Sequence, residues 1–132
     1  MLASQALYEI AKVRIQQKDF YEAHHNLKRA SAFKLKMKKL NNYRIFTEGV
    51  IFLMKRKTKT GVKMITSLVE RIGKATANNL ENNNQHNSLA DPKENSLLSS
   101  DFIYDLVFLY RAYGHFMLED YDLSLKDYIK SN

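Results

Sequence analysis

The chain has 132 residues, enough for one domain of ordinary size or a few units of a repeat. Cysteine is absent from it, which excludes disulfides, thiolate nucleophiles and thiolate metal ligands within these residues. Only four glycines and one proline interrupt it, too few for the turns of a β-sandwich or barrel, so the composition predicts an all-α fold. The net charge of +7 raises nucleic acid or another polyanion as a candidate partner.

The charge is divided unevenly along the chain. Residues 1–77 hold 17 basic and 5 acidic side chains, a net charge of +12, whereas residues 78–132 hold 4 and 9, a net charge of −5. No apolar stretch approaches the roughly 20 residues of a membrane span, and no secretory signal is recognisable. We therefore expect no transmembrane segment and a cytoplasmic location.

Three helical hairpins follow one another in the hydrophobic pattern. Apolar residues recur at helical spacing over 7–30, with a polar break at 16–19 after which Asp19 is suited to cap the second helix. The second hairpin is predicted at 43–54 and 60–72. The third is predicted at 101–118 and 121–129. Composition divides the chain into two basic hairpins (1–77), an Asn-rich insertion predicted to be disordered (78–98) and an acidic third hairpin (99–132).

Small residues recur at matching positions of the three hairpins. Alignment on the second helices superposes Ala23, Gly61 and Ser124, and twelve residues earlier stand Ala11, Gly49 and Ala112. Helices approach closely only where the facing side chain is small, so the two positions are predicted to face each other in each hairpin.

With these positions the chain resembles the tetratricopeptide repeat family, and the first unit, with its stretch KDFYEAHHNLKRA, matches best. The resemblance implies an α-solenoid of three antiparallel hairpins. The family unit is 34 residues, and the 38 residues from Ala23 to Gly61 predict a second helix lengthened by about one turn towards Leu40. The residues expected to pack the repeats are Leu7, Ala11, Phe20, Ala23, Leu27, Ala30, Ile45, Gly49, Phe52, Gly61, Ile65, Leu68, Phe108, Ala112, Tyr121, Ser124 and Tyr128. The alternative is an unrelated helical bundle with accidental spacing.

The resemblance also implies a concave groove lined by the first helix of each unit, suited to a peptide or partner helix. The expected lining residues are Tyr8, Lys12, Tyr43, Phe46, Val50, Leu53, Leu109, Tyr113 and Phe116. The alternative is that a neighbouring segment of the protein fills this surface, or that these residues are core. The last unit leaves an apolar edge, so we expect either a continuation of the solenoid or a partner that covers it.

No catalytic, cofactor-binding or metal-binding pattern is found in the sequence. His24 and His25 are adjacent, so on a helix they point about 100° apart and do not share a ligand face. We expect no enzyme activity, no cofactor and no metal. The basic turn with Lys55, Arg56, Lys57 and Lys59 is interpreted either as a solvated rim or as a site for RNA, phosphoinositide or an acidic tail.

These features together predict a non-catalytic protein-interaction scaffold of the tetratricopeptide type. The family is common in large complexes, including ciliary ones, and cilium association is therefore one setting that the resemblance implies. The alternative function is a basic helical domain that binds RNA or another polyanion.

Overall fold

A computed structural model describes the backbone of residues 2–32, 38–86 and 102–132 and the side chains of residues 3–32, 40–73 and 103–132. Every regular element within these ranges is an α-helix, so the prediction of an all-α fold is confirmed. The helices are α1 (Leu2–Gln16), α2 (Phe20–Ala32), α3 (Lys38–Met54), α4 (Thr58–His86), α5 (Phe102–Met117) and α6 (Tyr121–Ser131).

Three-residue turns of one geometry join α1 to α2, α3 to α4 and α5 to α6. The middle residue of each turn has a left-handed backbone, with φ of 62° at Lys18, 61° at Arg56 and 65° at Glu119. Side chains with a Cβ adopt this region at a cost of about 1 kcal/mol or more. The left-handed backbone therefore costs conformational energy in each of the three turns, and the hydrogen bonds of each turn must offset that cost.

Those hydrogen bonds form a Schellman motif, in which the end of the first helix is capped by its own following backbone. In the first turn, the Lys18 N–H donates to the Ile15 carbonyl at 2.9 Å and the Asp19 N–H donates to the Arg14 carbonyl at 2.9 Å. In the second turn, the N–H groups of Arg56 and Lys57 donate to the carbonyls of Leu53 and Phe52. In the third turn, the N–H groups of Glu119 and Asp120 donate to the carbonyls of Phe116 and His115.

The start of α2 is capped by the side chain that the sequence singles out. The Glu22 N–H donates to Asp19 Oδ1 at 3.3 Å, one of the first-turn donors that have no partner inside the helix. The prediction that Asp19 caps this helix is confirmed.

The chain packs as two compact units, Met1–Ile65 and Thr66–Asn132, divided inside α4. This division falls earlier than residue 77, where the composition changes. Composition follows the charge of the surface, whereas compactness follows the packing of the interior, so the two boundaries need not coincide.

In the first unit, α1 and α2 form an antiparallel pair. Ser4, near the start of α1, donates from its hydroxyl to the carbonyl of Ala30 near the end of α2 at 3.1 Å. Ala11 and Ala23 are both fully buried at the middle of the pair. With only a methyl group at each position, the two helices can approach each other closely there.

Helix α3 covers one face of this pair with aromatic side chains. Tyr43 meets Tyr8 edge to face with ring centres 5.5 Å apart, and Phe46 meets Phe20 at 6.0 Å. All four rings are at most 4% exposed. Edge-to-face pairs of this kind contribute about 0.5–1.5 kcal/mol each beyond the burial of their area.

Helices α3 and α4 approach each other where two glycines meet. A Cβ placed on Gly61 would lie 2.8 Å from the Gly49 carbonyl oxygen and 2.8 Å from Leu53 Cδ2. A Cβ placed on Gly49 would lie 2.8 Å from Ile65 Cγ1. Carbon contacts are normally about 3.5–4.0 Å, so neither position has room for a side chain as the helices stand.

The structure bears on two predicted boundaries. Leu40 belongs to α3, which begins at Lys38, and not to the second helix of the first hairpin. Residues 33–37, through which the extension was predicted, lie outside the described residues. Helix α4 continues past 72 to His86, so residues 78–86 of the predicted disordered insertion are helical. No proline or glycine lies between 74 and 86, and Asn costs only about half a kcal/mol per residue in a helix. The remainder of the predicted insertion lies outside the described residues.

Candidate interaction cleft

An open apolar cleft lies between α5 and α6 in the second unit, and we call it the α5–α6 cleft. Helix α5 contributes residues 109, 113 and 116, and α6 contributes residues 121, 125 and 128, both at the i, i+4, i+7 spacing of one helix face. The cleft has a volume of about 420 Å³. Its lining residues are Leu109, Ala112, Tyr113, Phe116, Tyr121, Ser124, Leu125 and Tyr128.

The six large side chains of the cleft are between 41% and 59% exposed. They are neighbours on two packed helices, so their exposed apolar surface is contiguous. Single apolar residues are common on protein surfaces, but contiguous apolar patches mark interaction sites. The cleft is therefore the strongest candidate binding surface among the described residues.

The floor of the cleft is fixed by contacts between the two helices. Ser124 Oγ donates to the Ala112 carbonyl at 2.7 Å, and the Phe116 and Tyr121 rings meet edge to face at 5.6 Å across the turn. Each contact joins α5 to α6. The cleft is accordingly preformed, and a ligand does not have to order it.

A buried ion pair between Arg111 and Asp127 locks the same two helices. Arg111 Nε and one terminal nitrogen each donate to a carboxylate oxygen of Asp127 at 2.7 Å. Asp127 is 3% exposed, and His115 Nε2 lies 3.6 Å from it. Such two-point pairing fixes the relative position of the helices as well as their contact. Sequence reasoning missed this pair.

The turn end of the cleft is acidic. Glu119, Asp120 and Asp122 are exposed and, with Tyr121 and Leu123, line a second cavity of about 360 Å³. The Asp120 side chain makes no hydrogen bond that caps α6, although it stands at the N-cap position. Three carboxylates beside an apolar cleft favour a basic ligand and disfavour a phosphate-bearing one.

The residues predicted to line a groove divide into two groups. Tyr8, Tyr43, Phe46, Val50 and Leu53 are at most 4% exposed, so they are core side chains of the first unit, and the prediction of an open groove there is wrong. Helices α1, α2 and α3 cover this surface by packing against one another, as the alternative interpretation supposed. Lys12 is partly exposed and pairs with Glu9 at 3.3 Å. The exposed members of the predicted set are Leu109, Tyr113 and Phe116, which all lie in the cleft.

The residues predicted to pack the repeats also divide. The buried members are Leu7, Ala11, Phe20, Ala23, Leu27, Ala30, Gly49, Gly61, Ile65, Leu68, Phe108 and Ala112. Ile45, Phe52 and Ser124 are half-buried. Tyr121 and Tyr128 are more than half exposed, so their assignment to the core is wrong, because no helix covers this face of α5 and α6 among the described residues. Leu125, which with Tyr128 belongs to the predicted apolar edge of the last unit, is exposed beside them.

His24 has a structural contact rather than a metal-binding one. Its Nδ1 lies 3.0 Å from Thr47 Oγ1, whose hydroxyl donates to the Arg44 carbonyl at 3.1 Å. Because that hydroxyl hydrogen is already used, His24 Nδ1–H is the donor to Thr47. Burial lowers the pKa of His24 below its ordinary 6.5, and this effect outweighs the attraction of Glu48. Burial similarly raises the pKa of Tyr110.

The predicted basic patch lies on the turn between α3 and α4 and the first turn of α4. Lys55, Arg56, Lys57 and Lys59 are all exposed. Within the ranges whose side chains are described, no group of three histidine, aspartate or glutamate residues could hold a metal ion. No helix in those ranges combines the length and apolar character needed to cross a membrane.

Comparison with protein families, with curated proteins and with solved structures finds no match.

Proposed function

We propose that the chain is a non-catalytic protein-interaction scaffold of the tetratricopeptide type, with helical pairs arranged as an α-solenoid, and that it binds a peptide or partner helix in the α5–α6 cleft. The observation that carries the proposal is the cleft itself, which is apolar, contiguous, exposed and preformed.

The assignment to this repeat type is supported by the internal repetition of the described helices. From Ala11 to Lys18 is seven residues and from Lys18 to Ala23 is five, and the same two intervals surround the left-handed residue of each other turn. At the small pair, the Gly61 Cα faces the Gly49 carbonyl, and the Ser124 hydroxyl donates to the Ala112 carbonyl. The turn geometry repeats in all three pairs and a close contact is found at the small residues of two of them, which favours a repeat over accidental spacing.

The lining of the cleft favours binding over catalysis. The polar groups of its side chains are three tyrosine hydroxyls and the Ser124 hydroxyl. The Ser124 hydroxyl donates its hydrogen bond to the Ala112 carbonyl and not to a base that would activate it as a nucleophile. Tyrosine-rich apolar surfaces are typical of protein-binding sites, because each ring buries a large area with few rotatable bonds.

A selection from a displayed peptide library tests this function with a matched pair of variants. Tyr128 lines the cleft and Ile129 does not, although they are adjacent on α6 and 52% and 62% exposed. We expect selected peptides to lose binding to Tyr128→Lys and to retain it with Ile129→Lys. A library that yields no peptide with this dependence refutes the function.

The exposed basic turn favours one second candidate, binding of RNA or another polyanion. Lys55, Arg56 and Lys57 are consecutive and solvated, so they can contact phosphates without rearrangement. Titration of labelled RNA at two salt concentrations tests it. Binding that weakens steeply with salt, and that is lost when all three residues become glutamine, supports this candidate. Absence of salt-sensitive binding excludes it.

A further inference from the structure

The first helical pair and the last present the same face, and among the described residues only the face of the first pair is covered. Aligned on their turns, the cleft residues Leu109, Phe116, Tyr121 and Tyr128 occupy the positions of Tyr8, Ile15, Phe20 and Leu27. The four residues of the first pair are at most 4% exposed, and the four of the last are at least 41% exposed. The difference therefore lies in what covers the face, since the positions that form it are the same.

In the first pair the face is covered by α3, and the contacts define how a helix fits it. Tyr43 meets Tyr8, Phe46 meets Phe20, Thr47 meets His24, and Val50 is 1% exposed. On α3 these residues stand at i, i+3, i+4 and i+7, which is one stripe of a helix. The covering element is thus an amphipathic helix with three bulky apolar residues and one small polar residue on its contact face.

The direction of the covering helix is also fixed in the first pair. Tyr43, early in α3, contacts Tyr8, whereas Phe46 contacts Phe20, the first residue of α2 after the turn. Helix α3 therefore runs towards the turn that joins α1 and α2. A helix seated in the same way on the α5–α6 cleft ends beside Glu119.

That end of the cleft selects for positive charge. Glu119, Asp120 and Asp122 are exposed there, and the C-terminus of any docked helix adds the negative end of its dipole. Unless the helix carries lysine or arginine near its C-terminus, the two negative charge distributions repel each other. Charge complementarity therefore predicts that the occupant has basic residues near its C-terminus in addition to its apolar stripe.

Helix α1 of a second copy of this chain does not fit this description. The residues of α1 in register with Tyr43, Thr47 and Val50 are polar, namely Gln5, Glu9 and Lys12. They are joined to one another, since Gln5 Nε2 donates to Glu9 Oε1 at 3.2 Å and Lys12 Nζ lies 3.3 Å from Glu9 Oε2. Stacking α1 on the cleft would bury these groups against apolar rings at a cost of desolvation.

We propose that the occupant of the α5–α6 cleft is an amphipathic helix of a partner protein, with bulky apolar residues at i, i+3 and i+7 and basic residues in the turn that follows. This inference rests on the proposed binding function of the cleft. It adds the conformation, the orientation and the charge of the ligand.

A synthetic peptide of residues 38–59 of this chain is a suitable probe. It contains the stripe of α3 followed by Lys55, Arg56, Lys57 and Lys59, which is the predicted arrangement of apolar and basic residues. The labelled peptide is titrated with the full chain by fluorescence anisotropy. We expect Tyr128→Lys to weaken binding at least about tenfold, as for a central contact residue, and Ile129→Lys to leave it unchanged.

The charge of the cleft end is tested with a second pair of molecules. In the chain, Glu119→Gln, Asp120→Asn and Asp122→Asn are combined, and in the peptide the four basic residues are replaced by glutamine. Because exposed ion pairs are individually weak, we expect the neutralised chain to bind the basic peptide about three- to tenfold less tightly at low salt. It should bind the glutamine peptide at least as tightly as the unmodified chain does, because the repulsion between the carboxylates and the helix dipole is removed as well.

The outcomes separate this inference from the proposed function. Peptide binding that survives Tyr128→Lys, or that ignores the three acidic residues, overturns the inference. Self-association of the chain that Tyr128→Lys abolishes also overturns it, because the occupant is then a second copy. If the display selection yields cleft-dependent peptides without this helical and basic pattern, the inference fails and the function stands. If it yields none, both fail.

Discussion

The contact between α3 and α4 predicts that two glycines of one helix respond in opposite ways to the same substitution. Gly61 is buried, and a Cβ there would lie 2.8 Å from the backbone oxygen of Gly49 and from a methyl group of Leu53. Gly73 is exposed, and a Cβ there meets nothing within 4 Å. Substitution by alanine gives both positions the same gain in helix propensity, so only the packing differs.

The magnitudes decide the sign at each position. Alanine in place of glycine stabilises a helix interior by about 1 kcal/mol. At Gly73 nothing opposes that gain, so Gly73→Ala is expected to raise the free energy of unfolding by about 0.5–1 kcal/mol. At Gly61 the new methyl group has to push a backbone carbonyl away, and overpacking of this kind costs about 1–3 kcal/mol. We therefore expect Gly61→Ala to lower the free energy of unfolding by up to about 2 kcal/mol.

Urea unfolding followed by far-ultraviolet circular dichroism measures both changes. The two variants should shift the midpoint in opposite directions with similar slopes, since a change of slope would indicate an altered denatured state. Stabilisation by Gly61→Ala comparable to that by Gly73→Ala would refute the close approach of α3 and α4 at this position.

Three further predictions concern the turns, the histidine and the ion pair. Lys18→Gly should raise the free energy of unfolding by up to about 1 kcal/mol, measured by urea unfolding, because glycine adopts the left-handed backbone without strain; a loss would mean that the Lys18 side chain contributes more than the strain costs. Because burial lowers the pKa of His24, the unfolded chain takes up a proton at this residue at a higher pH than the folded chain does. The free energy of unfolding should therefore fall as the pH drops from 6.5 to the lower pKa of the folded chain. Midpoints measured across this range should depend less on pH in His24→Gln, and an equal dependence contradicts the assignment. Arg111→Ala should cost about 3 kcal/mol, because the buried Asp127 carboxylate loses both hydrogen bonds from the guanidinium and keeps only His115 Nε2 at 3.6 Å. Arg111→Leu with Asp127→Leu should cost clearly less, and equal losses would contradict this reason.

Much of the local structure could be predicted from the sequence because its causes are local. The scarcity of glycine and proline predicts helices, and Asp19 predicts the start of α2 from its side chain alone. The end of α4 was missed for a related reason. A polar, Asn-rich composition predicts disorder only where the chain gains nothing by continuing the helix, and no residue between 74 and 86 forces an end.

The candidate site could be predicted only in part, because exposure depends on neighbours that one sequence position does not specify. Leu27, Ile65 and Tyr128 share one position of the alignment, yet the first two are fully buried and the third is half exposed. The spacing assigned all three to the core. In the first unit α3 covers this position, and a hydrophobic pattern records that a face is apolar without recording whether anything lies on it.

The amino-acid types of the cleft do differ from those of its covered counterpart, and the difference follows from physical chemistry. Where the first pair has Phe20 and Leu27, the last has Tyr121 and Tyr128, and the hydroxyl of each ring can remain in water while the ring is exposed. At the two aligned positions of α5 the exchange runs the other way, since the first pair has Tyr8 and Ile15 where the last has Leu109 and Phe116. Tyrosine keeps the area that a partner helix can bury and lowers the cost of leaving it open when the partner is absent. On the α6 side of the cleft the two tyrosines therefore lower the cost of an open face, which is compatible with the reversible binding that we propose for the α5–α6 cleft.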